Sequence, residues 1–279
     1  MEGAVLSEGV SVVVTTSGRP AEALARALSG VRAQTMAPAL VVVVYTGTDD
    51  ATAVEKEKIL KETLALPSEF LRLPGARAGP ARNLGASRCS TRALCFLDDD
   101  DEWCPRKLES QYAALGGNAL VASAHTVEDP GRTFEFPLPT DCNDPSAAIL
   151  GENVVGSTSF PMVSKEAFDA AGGFDQGFAS NQEWDLWVRM LRAGTLAVCA
   201  EPAGVKHSSE GSVSSSGLNR LSGWIRMLGK HSDEYKAHPE QLHRALWHMY
   251  GELWRRRMYV AGGLTYIRYR AVGRRLGGD

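Results

Sequence analysis

The chain has no paired-cysteine signature. Its five cysteines, Cys89, Cys95, Cys104, Cys142 and Cys199, are odd in number and never fall as CxxC. A disulfide framework or a structural zinc site is therefore not expected, and a reducing cytoplasm fits. Long apolar runs are missing too. The longest strongly apolar block, Leu40-Val41-Val42-Val43-Val44, is far too short to span a bilayer. The opening Met1-Glu2-Gly3-Ala4-Val5 lacks a basic n-region and an apolar h-region, so no signal peptide is expected. Net charge is small, formally −3, but it is unevenly spread. Residues 217–279 hold 12 Lys/Arg against 5 Asp/Glu, an excess of +7, which leaves −10 on 1–216. An acidic body joined to a basic tail predicts two units with different surfaces. We place them at 1–216, with halves of about 1–110 and 111–216, and at 217–279.

What remains is ordinary globular material, 44% hydrophobic and 23% charged, long enough to bury a substantial core. Its first half alternates two periodicities. Val10-Ser11-Val12-Val13-Val14 predicts a strand that ends at the polar turn 15–20. A helix over about 21–33 follows, with Leu24, Leu28 and Val31 on one face. Strands are predicted at 40–45, 70–73 and 93–97, and helices at 55–64 and from 79. This β-α-β-α-β-α-β order predicts an α/β fold with a mainly parallel sheet covered on both faces. Ligands of such sheets bind at the carboxyl ends of the strands, where the polar turns 15–20, 46–50 and 98–102 converge.

The last of these turns is the most informative. Asp98-Asp99-Asp100-Asp101-Glu102 directly follows the apolar segment Ala93-Leu94-Cys95-Phe96-Leu97. Carboxylates crowded at a strand end repel one another, and a cation would relieve that repulsion. Hard oxygen ligands suit Mg²⁺ or Mn²⁺, ions that commonly sit between a few carboxylates and a substrate's phosphates. A solvated acidic turn is the plain alternative.

Several stretches, in order, resemble the family 2 glycosyltransferases of the GT-A fold. Val12-Val13-Val14-Thr15-Thr16-Ser17-Gly18-Arg19-Pro20 is similar to the family's opening V-V-I-P-T-Y-N-R-P, and Arg32-Ala33-Gln34-Thr35 to its A-Q-T. Gly79-Pro80-Ala81-Arg82-Asn83-Leu84-Gly85 resembles G-x-A-R-N-x-G. Phe96-Leu97-Asp98-Asp99-Asp100-Asp101-Glu102-Trp103, with Pro105 and Lys107-Leu108, resembles F-L-D-x-D-D-x-W-x-P-x-K-L. Gly172-Gly173-Phe174-Asp175 and then Gln182-Glu183-Trp184-Asp185-Leu186-Trp187-Val188-Arg189 resemble G-G-F-D and E-D-W-D-L-W-x-R. The resemblance covers about residues 10–215.

It implies transfer of a sugar from a nucleoside-diphosphate sugar to an acceptor hydroxyl, on a glycan, a lipid-linked sugar or a small molecule; no nucleic-acid partner is implied. The leaving group departs with concentrated negative charge, which a divalent ion can neutralise. By the same resemblance Asp100 is the metal ligand, and Asp98 meets the ribose or shares the metal. Asp99 belongs to the nucleotide-sugar site, whereas Asp101 could instead cap the helix beginning near Pro105. Thr16 and Arg19 fall where the family holds base and ribose. Arg82 falls near the nucleotide or its phosphates, with Asn83 orienting that loop. His207 is placed at the diphosphate or the metal. Glu183 occupies the position of the general base of an inverting transfer. Asp185, two residues on along a helix, points elsewhere and is structural. Trp184 and Trp187 read as core or acceptor-pocket wall.

The chain also departs from the family pattern. The usual V-D-D-G-S-x-D is Val44-Tyr45-Thr46-Gly47-Thr48-Asp49-Asp50, so both early aspartates are gone, only Asp50 matches the last, and Tyr45 is left to stack on a base. These changes, with Gln182-Glu183, keep open a catalytically silent sugar-nucleotide binder. A sugar nucleotidyltransferase is a further alternative, but its G-x-G-T-R-L-type loop is absent from 15–20. In the tail, Leu242, Ala245, Leu246, Met249, Tyr250, Leu253 and Trp254 share one helical face. We expect that face to pack on the catalytic domain or a dimer mate. Docking to an anionic membrane or a lipid-diphosphate acceptor, which would make the protein peripheral to a membrane, is the alternative.

Overall fold

A computed structural model describes residues 6–129, 131–139, 143–207 and 216–276. Strands β1 (Ser7–Thr16), β2 (Leu40–Tyr45), β3 (Ser68–Arg72) and β4 (Thr91–Asp98) run parallel, with β1 between β2 and β4. Their crossovers are α1 (Ala21–Arg32), α2 (Asp50–Thr63) and α3 (Ala78–Ala86). The valines of β1 and β2 alternate between two apolar layers. Val13, Val42 and Val44 join the layer under α3, whereas Val12, Val14, Val41 and Val43 join the layer under α1. Both faces are thus dry, which is why these strands read as unbroken apolar runs.

Helix α2 starts five residues before the predicted 55. The Asp49 side chain accepts the Thr52 N–H at 2.7 Å and caps it, so the polar turn closes sooner than the apolar pattern begins.

The second half adds β5 (Glu102–Trp103), α4 (Lys107–Leu115), β6 (Leu120–Ser123), β7 (His125–Asp129), β8 (Arg132–Phe136), α5 (Pro145–Gly151) and β9 (Met162–Ser164). It continues with α6 (Lys165–Ala170), α7 (Gln182–Leu191), β10 (Leu196–Cys199) and β11 (Gly204–His207). Among the described residues the central sheet has the order β10-β6-β9-β4-β1-β2-β3. Its β9 is antiparallel to both neighbours. A small second sheet has the order β5-β11-β7-β8. Its β5 begins directly after the acidic run, so the run is pinned at both ends.

The basic segment forms α8 (Gly217–Lys230), α9 (Ser232–Ala237), α10 (Pro239–Arg255) and α11 (Tyr259–Arg275). On α10 the apolar face is buried at Ala245, Leu246, Met249 and Leu253. Ala245, Met249 and Leu253 share one apolar cluster with Trp184 and Trp187 of α7 and with Phe96 of β4. Trp224 of α8 meets Trp184 edge to face, 4.9 Å between ring centroids. Residues 217–276 therefore share the main core and do not form a detached unit. Among the described residues no helix is long and apolar enough to cross a membrane.

Candidate functional site

The ends of β1 and β4 build the floor of a cleft of about 530 Å³. In the β1–β4 ladder Thr15 lies opposite Asp98 and donates its hydroxyl to it at 2.9 Å. The chain then turns, with Asp101 N–H donating to Asp98 C=O at 3.1 Å, and the four aspartates separate. Asp99 points inward. It accepts from Thr16 Oγ1 at 2.5 Å, lies 3.3 Å from Arg19 Nη1 and 3.7 Å from Lys56 Nζ. Burial nevertheless raises its pKa. Asp98, Asp100 and Asp101 gather on the other side, each with one oxygen within 4.8 Å of the others.

Three carboxylates at that spacing form a hard-oxygen set suited to Mg²⁺ or Mn²⁺. One observation fits a cation specifically. Asp101 is 1% exposed, and its Oδ2 has no hydrogen-bond partner. Burial pushes its pKa up to about 7 against the pull of Lys206. A buried, unpaired carboxylate oxygen is costly unless something positive meets it.

Fixed positive charge surrounds the set. Arg82 of α3 is buried, reaches Asp98 Oδ1 with Nη2 at 2.5 Å, and has Nε and Nη1 unpartnered. Burial opposes ionisation of Asp98, but Arg82 and Lys206 outweigh it and lower its pKa. Lys206 of β11 faces Asp101, Asp98, Asp100 and Glu183; their charges overcome its desolvation and raise its pKa. Arg19 bridges Asp99 and Asp100, and its own pKa is likewise raised against desolvation. Arg77 and Arg220 also line the cleft. The first turns of α3 and α7 both open into it, through Ala78 and through Gln182-Glu183. Helix N-termini present unpaired N–H groups that favour anions. The cleft thus offers a polyanion several cations, two helix ends and a carboxylate cluster able to hold a further cation.

Glu183 also lines this cleft, on the first turn of α7. Asn181 precedes the helix with φ 59°, a left-handed conformation that asparagine tolerates better than most residues. Its Oδ1 accepts from Arg220 Nη1 at 2.8 Å, which joins α8 to the rim. Asp185 turns away. It is fully buried and meets His231 Nε2 at 3.0 Å, Lys230 Nζ at 2.8 Å and Arg189 Nη2 at 2.7 Å.

Of the residues singled out from sequence, Thr16, Arg19, Arg82, Asp98, Asp99, Asp100 and Glu183 all line the cleft. Others lie elsewhere. Tyr45 is 1% exposed and turned inward. Its hydroxyl donates to Asp49 C=O at 3.1 Å and its ring stacks on Phe70, so no face is left for a base. Asp50 opens α2 on the surface and pairs with Arg72. The His207 imidazole lies between Glu128, 3.0 Å from Nδ1, and Glu102, 3.3 Å from Nε2. Only its backbone N–H meets the acidic set, donating to Asp101 at 3.2 Å. Asp101, not His207, completes the trio. Asp101 does not cap α4 either, which has Arg106 at its N-cap position.

Sequence reasoning missed Lys206, Thr46, Arg77, Asn181 and Arg220, all of which line the cleft. It also missed Lys56, fully buried behind the floor, donating to Thr16 Oγ1 at 2.5 Å. Lys56 had left a signal. It sits with Ala53 and Leu60 at i, i+3 and i+7 on the buried stripe of α2, where a charge needs a reason. Lys206 and Arg220 left none, because their cleft-facing positions depend on the small sheet and on α8 docking.

Comparison with known proteins agrees with this geometry. The profile of "Glycosyl transferase family 2" matches residues 11–170. An uncharacterized glycosyltransferase of Haemophilus influenzae is 26% identical over 191 residues, which cover 66% of this chain and 62% of that protein. Among solved structures, S. aureus TarS 1–349 in complex with UDP-GlcNAc superposes with TM-score 0.62 at 16% identity, over 85% of this chain and 72% of that one. Against the longer crystallised TarS the chain covers 43% of its length. The mannosyltransferase PcManGT from Pyrobaculum calidifontis, in complex with GDP-Man and Mn²⁺, gives TM-score 0.60 at 15% identity, over 95% and 83%. These structural likenesses establish the fold, a GT-A-type α/β arrangement. The profile spans more than half of the sequence and ends beyond the strand-end aspartates and Arg82, so the chain belongs to glycosyl transferase family 2.

Proposed function

We propose that this protein transfers a sugar from a nucleoside-diphosphate sugar to an acceptor hydroxyl, with inversion and with help from Mn²⁺ or Mg²⁺. The observation that carries this reading is one cleft lined both by Asp98 and Asp100 of a cation-ready aspartate trio and by a separate carboxylate, Glu183. The donor class is supported by the neighbours in fold, one recorded with UDP-GlcNAc and the other with GDP-Man.

The proposed roles follow from charge and position. Arg82, Lys206 and the α3 N-terminus hold the diphosphate and stabilise the negative charge that grows on it. A divalent ion held by Asp98, Asp100 and Asp101 would supply further Lewis-acid neutralisation of that leaving group. Thr16, Arg19 and Thr46 border the nucleoside end. The acceptor oxygen attacks the anomeric carbon from the Glu183 side, and Glu183 takes its proton. The new C–O bond forms as the bond to phosphate breaks, and the electron pair leaves with the diphosphate. Asp185 is unsuited to the base role because His231, Lys230 and Arg189 already engage it.

A binding screen of UDP-, GDP-, dTDP- and CDP-sugars with and without Mn²⁺ tests the reading, and one donor class should bind. Asp100→Asn should then weaken nucleotide binding by calorimetry mainly when metal is present. Equal wild-type affinity in Mn²⁺ and in excess chelator would sink the metal assignment, and no binding by any donor would sink the whole reading.

A further inference from the structure

Helix α11 packs on α10 through one side, where Gly262 and Thr265 are buried. Its opposite side carries Val260, Leu264 and Ile267, exposed by 81%, 65% and 66%. With Ala271 these residues fall within about 60° of arc at 3.6 residues per turn. Arg270 and Arg274 flank that stripe on one side, Arg268 and Arg275 on the other. From residue 253 to 278 the sequence has seven arginines and no Asp or Glu. The apolar surface does not stop at the helix. A groove of about 460 Å³ between α8, α10 and α11 is lined by Ile225, Leu228, Leu246, Met249 and Leu264, with Arg268 beside it. Trp247, Trp254, Tyr259 and Tyr266 are partly exposed along the same hairpin.

An apolar stripe bordered by arginine rows, with aromatic rings nearby, is the pattern of a helix lying in the plane of a membrane interface. We infer that the outer face of α11, together with the groove it shares with α8, docks on an anionic lipid bilayer. The apolar residues enter the headgroup boundary and the arginines meet lipid phosphates. A second copy fits this face poorly, because isologous pairing would set the arginine rows against each other. Nucleic acid fits poorly too, because the centre of the face is Val, Leu and Ile, which give phosphates nothing to bind. Docking would also place the active-site rim near lipid. Met258, at the α10–α11 turn, packs against Gly217 at the start of α8, and Asn219 and Arg220 of that first turn line the cleft.

The full chain should co-sediment with phosphatidylcholine vesicles containing phosphatidylglycerol, and not with phosphatidylcholine alone. Raising salt from about 0.05 to 0.5 M should release it, since headgroup attraction is screened. Arg268→Glu/Arg274→Glu/Arg275→Glu should weaken the partition by about a hundredfold or more. Leu264→Asn/Ile267→Asn should weaken it with the charge of the face unchanged. All these positions are exposed, so coincident thermal unfolding with wild type would verify the fold. Three results would overturn the inference: wild type left in the supernatant with anionic vesicles at low salt; variants that bind as wild type does; or a lipid-free dimer that the same substitutions dissociate. Donor binding is measured separately and does not depend on this face.

Discussion

Glu183 and Asp185 lie two residues apart on α7 and meet opposite environments. Asp185 is closed into a network with Lys230 at the end of α8 and with His231 just after it, while Glu183 faces the cleft. Glu183→Gln should therefore leave donor affinity intact and lower turnover by roughly 10²–10⁴-fold, the usual worth of a general base. Product mass spectrometry at saturating donor measures it, and near wild-type turnover would move the base elsewhere. Gly85 teaches a different residue-level lesson. A Cβ there would overlap Cγ1 of the fully buried Val13 in β1, so α3 can lie this close to the sheet only with glycine. Gly85→Ala should cost about 1–3 kcal/mol, the range for overpacking a core, as read by urea unfolding. The seven cleft residues named from sequence were legible because short motifs place them at strand ends and helix starts. Tyr45, Asp50 and His207 do not line the cleft, for three separate reasons. The side-chain alternation at the end of β2 turns Tyr45 inward, Asp49 starts α2 early and carries Asp50 to the surface, and Glu102 and Glu128 hold the His207 ring.

Among the elements, β1, β2 and β4 announced themselves because β-branched runs buried on both faces have no other comfortable conformation. β9 did not. Its three residues gain their strand geometry from β4 and β6 on either side, which no local pattern encodes. Helix α8 is likewise placed by partners distant in sequence. Arg226 Nη2 lies 3.2 Å and Lys230 Nζ 2.7 Å from the carboxylate of Asp175, in the loop before α7. Burial opposes that charge, yet Lys230, the Gly177 N–H and Arg226 lower the Asp175 pKa to about 2. A carboxylate depressed by folding adds stability above its unfolded value and loses it as pH falls through the folded one. Asp175→Asn should thus destabilise by on the order of 2 kcal/mol at pH 7. The deficit should close between about pH 4 and pH 2. Denaturant unfolding of both proteins across that range decides it, because the other acids titrate equally in each. A deficit unchanged at pH 2 would mean the clamp is not ionic.

At the scale of the whole molecule, the sequence suggested an acidic body with a basic appendage, and charge does divide that way. Packing does not follow charge. Tyr235, Ala245, Met249 and Leu253 belong to the same apolar cluster as Trp187 and Phe96. Glu252 of α10 holds both Arg220 Nε at 2.5 Å and Trp224 Nε1 at 2.8 Å, and Arg220 in turn holds Asn181 at the head of α7. Ending the chain at residue 216 should therefore remove a wall of the cleft and uncover the core. The expected product is insoluble or lacks a cooperative thermal transition; a cooperative, donor-binding 1–216 fragment would contradict the shared core.

That shared core sets an order of events during synthesis. The strands that carry the aspartates leave the ribosome early and can pair with one another at once. Trp184 and Trp187 follow while the helices that cover them are still unmade. At ordinary elongation rates of about 5–20 residues per second, this interval lasts seconds. The nascent chain spends that time with an open aromatic face beside a finished sheet, a state that invites chaperone capture and, when capture fails, aggregation on the polysome.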